Sequence, residues 1–401
     1  MKNPKQLIHL ITTNSIKELT EKQDITFSEL DKLSLSKNHY EQFFKKVNKT
    51  KKIINNPKTL ECFIRSYLRI FQNNIDKDGR GSSIVIEITK RCNKNCQHCY
   101  SKFSGKNIDM PDDVLENLIR FSRTHYKHIF FTGGEPTLDL RVLLIAEKNP
   151  DIIFFMFTNG STMNESYAKK ISALGNIIPM LGIDGSSEIT HDCFRGKGSY
   201  QEAMNAIKLL NKHNVSWGCI SLVTEQNAKD VLDQKFVDDK IKKGAFILRY
   251  LEYLPVGPQP KTELVLSGET YYYLEKRKNE IVQSGQIYMQ RIGQKKCKGL
   301  LFFSVDGYIK NCFCFHYAKY NTNNCDIKRS IENAQKDWTS CKWEGECPIY
   351  SNPHGLKNHL EKLGWKHRSS ITEPYLTDPK IAAHLMHSYK TFLKIVAEKG
   401  L

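Results

Sequence analysis

Residues 88–102 read Ile-Thr-Lys-Arg-Cys-Asn-Lys-Asn-Cys-Gln-His-Cys-Tyr-Ser-Lys and place Cys92, Cys96 and Cys99 at C-x3-C-x2-C spacing, directly after an apolar strand-like segment. Three thiols crowded onto one loop read as ligands rather than as packing residues. Their number is informative. A structural zinc site or a simple electron-transfer cluster takes four protein ligands. Three cysteines on a four-iron cluster leave one iron open to a group that is not protein. The competing reading is a three-cysteine zinc loop completed by His98.

About one βα unit later stands Phe131-Thr132-Gly133-Gly134-Glu135-Pro136. Adjacent glycines let the backbone approach a ligand closely. With the cysteine motif, this segment resembles the radical S-adenosylmethionine (radical SAM) superfamily. The resemblance implies that the open iron binds the amino and carboxylate groups of SAM. It also implies that an electron from the cluster cleaves SAM to a 5′-deoxyadenosyl radical. Gly133, Gly134, Glu135 and Pro136 would then take the SAM amino group through backbone carbonyls and the glutamate. Tyr100 stands where the family carries an aromatic on the adenine side. Asn159, in Thr158-Asn159-Gly160, would lie near SAM, although a strand-ending turn favours Asn-Gly in any case.

Leu181-Gly182-Ile183-Asp184-Gly185 and His191-Asp192-Cys193-Phe194-Arg195-Gly196-Lys197-Gly198 resemble a Ser-Ile-Asp-Gly…Asp…Arg-Gly-x-Gly signature of peptide-modifying members. By that resemblance Asp184 lies near the SAM ribose or the radical. Arg195 clamps the SAM carboxylate, which a guanidinium fork matches; a surface ion pair is the alternative. Position 182 is Gly where the family has Ser, so a ribose contact is lost and Ser221 on the fifth strand is its candidate substitute. His191, Cys193, Cys62 and Cys219 read as structural. Glu252, near the end of the sixth strand, is a candidate to face substrate, within the polar stretch Arg249–Gly257 (249–257).

The chain of 401 residues carries 40% apolar and 26% charged residues, ordinary for a soluble globular protein. No run of 18 apolar residues is present, and the first 22 residues lack the apolar core of a signal peptide. A cytoplasmic protein with no membrane partner is expected. Clustered cysteines fit metal ligation in a reducing compartment better than a disulfide framework. The net charge of +17 raises nucleic acid as a partner. Lysines outnumber and are more scattered than arginines, and no nucleic-acid motif accompanies them, so a solvated surface is the preferred reading.

The pattern implies α/β architecture. Residues 1–80 read as an N-terminal helical segment, with a capping box at 26–29. A second helix start falls at Asn56-Pro57, followed by Leu60, Phe63, Ile64, Tyr67, Leu68 and Phe71 at helical spacing. A turn at 78–81 marks the boundary. Residues 81–260 alternate strands at 83–89, 128–132, 151–157, 177–183, 217–223 and 245–251 with helices, one of them opening at Pro111. Six such units match the partial (β/α)6 TIM barrel that the resemblance implies, with active groups at the strands' C-terminal ends.

Residues 261–401 form a small cysteine-rich α+β extension. Residues 301–310 read as a hairpin turning at Asp306-Gly307. Cys297, Gly307 and Cys312 resemble the start of a SPASM or Twitch auxiliary-cluster domain, which implies a second [4Fe-4S] cluster completed by Cys341 and Cys347. Cys314 or Cys325 can replace Cys341, and zinc is the alternative metal. The resemblance spans about residues 56–356. It implies a radical SAM oxidoreductase, similar to peptide maturases, acting on a peptide or small molecule and fed by a reductant such as flavodoxin or ferredoxin. RNA modification is the alternative within enzymes, and a non-catalytic iron–sulfur electron carrier or scaffold the alternative outside them.

Overall fold

Apolar runs alternating with amphipathic helices resolve into β1 (Ser83–Thr89), β2 (His128–Gly133), β3 (Ile153–Thr158), β4 (Ile177–Gly182), β5 (Trp217–Val223) and β6 (Ala245–Glu252). Each lies within two residues of the expected bounds. The computed structural model describes residues 43, 46–48, 50, 51, 53, 54, 56–73, 75, 83–101, 108–256, 260–289, 300–323, 326–340, 347–368 and 373–400. The capping box at 26–29, the turn at 78–81, and Cys297, Cys325 and Cys341 lie outside the described residues. All six strands pair in parallel, in the order 6-5-4-3-2-1. Outer helices cover them: α1 (Pro57–Gln72), α2 (Asp112–His125), α3 (Arg141–Lys148), α4 (Glu165–Leu174), α5 (Glu188–Arg195), α6 (Ser199–Lys212) and α7 (Gln234–Lys242). The result is the expected partial barrel.

Alternation along each strand sorts the side chains. Val85, Phe130, Ile153, Phe155, Ile178, Met180, Ile220 and Ile247 point inward and form one apolar cluster. Ile84, Phe131, Phe154, Leu181, Cys219 and Leu248 point outward into a second cluster beneath the helices. Both faces are therefore buried, as parallel sheets require.

The inner cluster is not closed by the sheet alone. Leu60, Cys62, Phe63, Ile64 and Leu68 of α1 belong to it, so the amphipathic stripe plugs the barrel interior. Asn56 caps α1 by accepting from the Thr59 amide at 2.9 Å. Arg69 fixes the other end of the helix. Its buried guanidinium donates to the carbonyls of Asp151, Arg123, Tyr126 and Lys127, which lie at the entries to β2 and β3.

Segments from beyond residue 260 complete the same sheet. β7 (Tyr288–Met289) pairs parallel to β6, β8 (Leu300–Phe303) parallel to β1, and β9 (Ile309–Lys310) antiparallel to β8. The expected hairpin is β8–β9, and Gly307 takes the positive φ its turn needs. Helix α8 (Gly268–Ser284) packs on α9 (Pro379–Lys399) through Tyr271, Tyr389 and Phe392. No helix among the described residues is long and apolar enough to cross a membrane.

If α1 plugs the barrel, its core contacts carry global stability. Ile64 is fully buried. Ile64→Ala is expected to cost about 3 kcal/mol, read as a lower urea midpoint with an unchanged slope; a loss near zero would detach α1 from the core.

Candidate active site

The cysteine loop leaves β1 and crosses the C-terminal edge of the sheet, where it is tied to the ends of three other strands. At its start, Gly134 and Glu135 donate their amides to the carbonyls of Thr89 and Arg91, at 2.8 and 2.7 Å. A Cβ on Gly133 would fall 2.1 Å from the Thr89 oxygen, and one on Gly134 2.1 Å from the Arg91 oxygen. The close approach that the paired glycines permit is thus to the backbone entering the cysteine loop. In the middle, Asn93 accepts from Asn159 Nδ2 at 3.1 Å and donates to Ser161 at 2.8 Å. At the far side, Gln97 donates its amide to the Phe194 carbonyl, and the His98 ring stacks on Phe194 at 5.3 Å.

Glu135 is buried, and its carboxylate serves the loop. It accepts from the Thr137 amide and hydroxyl, from the Thr158 hydroxyl and from the Asn159 amide. Burial pushes its pKa up, against those hydrogen bonds.

Asp184 follows β4 and is fully buried. One oxygen accepts from the Leu222 amide at 2.8 Å. The other meets His98 Nε2 at 2.8 Å and accepts from Arg195 Nε. Burial opposes its charge, but Arg195 and His98 outweigh that and hold the carboxyl well below the usual carboxylate range. The Asp184 amide donates to His191 Nδ1 at 3.2 Å. Asp184 is thereby a positioning residue, joining the cysteine loop, α5 and β5.

Position 182 has a steric reason to be glycine. A Cβ there would stand 2.5 Å from the Arg195 guanidinium nitrogens. The small residue clears the space into which Arg195 folds.

These parts surround one cavity of about 1080 Å3, including its open mouth. Of the residues singled out in the sequence, Cys92, Cys96, Cys99, Tyr100, Gly133, Gly134, Glu135, Asn159 and Arg195 line it. Pro136 is buried at the start of a 3-10 turn behind the loop. Asp184 sits behind Arg195. Ser221 does not line the cavity and does not replace a Ser at 182: strand alternation turns Ile220 and Leu222 inward, and the Ser221 hydroxyl donates to the Ile183 carbonyl at 2.5 Å. Glu252 is also turned away, pairing with the buried Lys278 of α8 at 2.9 Å. Sequence reasoning missed Lys94, Phe157, Phe302, Phe313 and, as an individual cavity residue, Arg249, all of which line the cavity. For Arg249 a signal existed: a cation between Ile247 and Leu251 on the inward-facing phase of the strand.

The donor set fits an iron–sulfur cluster. Three thiols from one loop share a cavity wall, and Cys99 is buried enough that its pKa rises to about 11. Ligation would have to offset that, as it does for any thiol that coordinates as thiolate. In the tail, Cys312 and Cys314 flank Phe313, whose ring meets Tyr100 at 5.1 Å. Cys347 stands at the cap of the short helix Pro348–Ser351. Since Cys297 and Cys341 lie outside the described residues, the described part does not assemble a second ligand set. Cys62 and Cys219 are core residues, and Cys193 donates to the Thr190 carbonyl.

The curled parallel sheet, with a three-thiol loop and a glycine loop on its C-terminal edge, defines a partial-barrel α/β protein built around one thiol-lined cavity. Residues 86–233 match the family model of the radical SAM superfamily. It is 32% identical over 183 residues to the sporulation killing factor maturation protein SkfB of Bacillus subtilis (strain 168), covering 44% of this chain and 43% of that protein. It is 27% identical over 188 residues to pre-heme d1 synthase of Dinoroseobacter shibae, covering 45% and 46%. The chain thus spans less than half the length of these relatives. Among solved structures, native anSMEcpe with bound AdoMet and Cp18Cys peptide aligns with a TM-score of 0.53 at 19% identity, over 79% of this chain and 99% of that one. That likeness concerns the fold.

Two measurements follow from the site's packing. Burial, then the Arg195 charge, pushes the His191 pKa down to about 4. As pH falls the unfolded chain takes up this proton first, so the neutral ring's contribution is intact above about 6.5 and fades toward 4. Between pH 7 and pH 5 the loss is expected to be about 2 kcal/mol, and His191→Asn should flatten the pH dependence of the urea midpoint; equal pH slopes in both proteins would refute it. Gly134→Ala drives a methyl group into a backbone carbonyl, and is expected to lower stability by about 2 kcal/mol and to loosen the cysteine loop, read as faster thiol labelling of Cys92 in the metal-free protein.

Proposed function

We propose that Cys92, Cys96 and Cys99 hold a [4Fe-4S] cluster, and that the cavity is the reaction chamber of a radical SAM oxidoreductase resembling peptide maturases. The observation that carries the reading is the convergence of three thiols, the Gly133-Gly134 loop, Asn159 and Arg195 on one cavity. When bound, the cluster supplies the electron that cleaves SAM reductively. Arg195 offers its guanidinium fork to the SAM carboxylate, held by Asp184, whose two other partners fix the cysteine loop and β5. The Gly134-Glu135 segment, stitched to the cysteine loop, presents its backbone to the SAM amino group, and Tyr100, anchored to Thr132 at 2.8 Å, faces the adenine side. Val85, Phe157, Ile220, Leu222, Leu251, Phe302 and Phe313 line the rest of the chamber and exclude water from the radical.

A substrate that is a peptide or a small molecule is supported by the relatives and neighbours: one relative is named for maturation of a sporulation killing factor, one for pre-heme d1 synthesis, and the solved structure holds a peptide. An auxiliary cluster on Cys297, Cys312, Cys341 and Cys347 belongs to the same reading, supported by the spacing of these cysteines in the sequence. A flavodoxin or ferredoxin as reductant and a cytoplasmic setting belong to the same reading.

Anaerobically reconstituted and reduced protein should convert SAM to 5′-deoxyadenosine and methionine. Replacing Cys92, Cys96 and Cys99 by Ala should abolish this and remove about half of about eight irons per chain. Cleavage that persists in the triple variant ends the proposal, and zinc with about four irons reassigns the tail to a structural metal.

A further inference from the structure

Five half-buried apolar side chains turn toward the cavity from separate parts of the chain: Tyr100 in the cysteine loop, Phe157 on β3, Leu222 on β5, Leu251 on β6 and Phe313 beyond β9. The register sets Leu222 beside Leu251. On the other flank of the sheet, the Phe313 ring meets Tyr100 at 5.1 Å and Phe302 of β8 at 5.7 Å. Both flanks thus bring uncovered hydrocarbon to one space. Water is a poor partner for such a surface, and a concentration of it in a cleft marks a place where another molecule covers it.

The polar side chains of the same wall are engaged within the protein. The Tyr100 and Thr132 hydroxyls meet at 2.8 Å. Thr158 donates to Glu135, which also accepts from the Asn159 amide. The Asn159 side chain donates to Asn93 and accepts from the Ser161 amide. Lys94 pairs with Glu202, and Arg249 lies against the Phe130 and Phe157 rings. Arg195 gives its Nε to Asp184, and the rest of its fork belongs to the SAM carboxylate in the reading above. What is left for a substrate is the part of the wall built from Leu222, Leu251, Phe302 and Phe313. A charged or amide group entering there would lose its water without gaining side-chain partners. A hydrocarbon group would gain by leaving water.

We propose that the group of the substrate that enters the chamber is a neutral hydrocarbon group, and that Leu222 and Leu251 are specificity-determining residues that select it. This rests on the reading of the cavity as the reaction chamber, but its test reads binding and does not use SAM cleavage. The hydrocarbon group is carried either by a peptide or by a free small molecule, and two probe pairs separate these sources. They are N-acetyl-leucine N-methylamide against its asparagine counterpart, and 4-methylpentanamide against succinamide. In each pair an isopropyl group is exchanged for a primary amide of the same shape. Binding is measured by calorimetry on the full-length, anaerobically reconstituted and unreduced protein, with and without SAM.

In at least one pair the hydrocarbon member is expected to bind wild type about 10-fold or more tighter than the amide, the scale of moving an apolar group rather than an unpartnered amide out of water. A preference confined to the first pair assigns the source to a peptide, one confined to the second to a small molecule. The preference should persist with SAM present. Leu251→Asn, which puts a polar group into the wall, should reduce it about threefold or more, and Leu251→Met, which keeps the wall apolar, should retain it. Circular dichroism and thermal melting establish that each variant is folded. If Leu251→Asn is not, Leu222→Asn takes its place, and if neither is, the wild-type preference and its persistence with SAM decide. The proposal is overturned if wild type does not prefer, or does not bind, the hydrocarbon member in either pair, or if SAM displaces the probe. It is overturned equally if a folded asparagine variant keeps the full preference, or if Leu251→Met loses it. A protein that shows the preference but fails to cleave SAM would instead count against the proposed activity.

Discussion

A buried carboxylate with several partners can hold together elements that no single hydrogen bond would align, and Asp184 does this here. An unpaired charge in a 0% exposed position would cost far more than the fold could tolerate. The chain satisfies it from three directions: the β5 backbone, the His98 ring in the cysteine loop and the Arg195 guanidinium at the end of α5. The cysteine loop cannot shift without breaking a charge-assisted contact, and Arg195 cannot turn without leaving Asp184 uncompensated. The three thiols owe their common wall to this arrangement as much as to their own spacing.

The second constraint is backbone against backbone. The Gly133-Gly134 segment docks on Thr89 and Arg91 at distances no side chain would permit, and a register shift late in β1 brings Thr89 opposite Gly133. Glu135 then spends its carboxylate on the ends of β2 and β3. Strand ends that are independent in sequence become one rigid rim. The rigidity is paid for by the apolar interior below, to which α1 contributes a full stripe, and by β7 and β8, which extend the sheet on both flanks.

Much of this was legible in the sequence. Six parallel strands, the capped α1 and its buried stripe, and the β8–β9 hairpin followed from periodicity and turn chemistry, while nine cavity residues were reached through motifs that resemble those of the radical SAM superfamily. What was not legible has a common cause: strand residues were read by identity rather than by side. Ser221, Arg249 and Glu252 were all visible, yet only the phase of alternation decides that Arg249 faces the chamber while Ser221 and Glu252 turn outward. The paired glycines were read as yielding to a ligand, whereas their nearest crowding comes from the loop they brace. Contacts such as His98 with Asp184 join residues 86 positions apart, and no local pattern encodes them.

Position 182 shows how one departure from a motif propagates. Glycine there forgoes a hydroxyl, but the space it frees is the space the Arg195 guanidinium occupies. A serine would place its Cβ against those nitrogens, so the Arg195 guanidinium would have to shift. The two residues therefore pack as a unit: the short residue on β4 leaves the room that the long one from α5 fills. The same row of the barrel carries Arg249, two strands along. A chamber with two guanidiniums in one layer is costly to desolvate, and its walls are otherwise aliphatic and aromatic. Such a layer costs more desolvation than an all-apolar one, and the contacts of Arg249 with the Phe130 and Phe157 rings recover part of that cost.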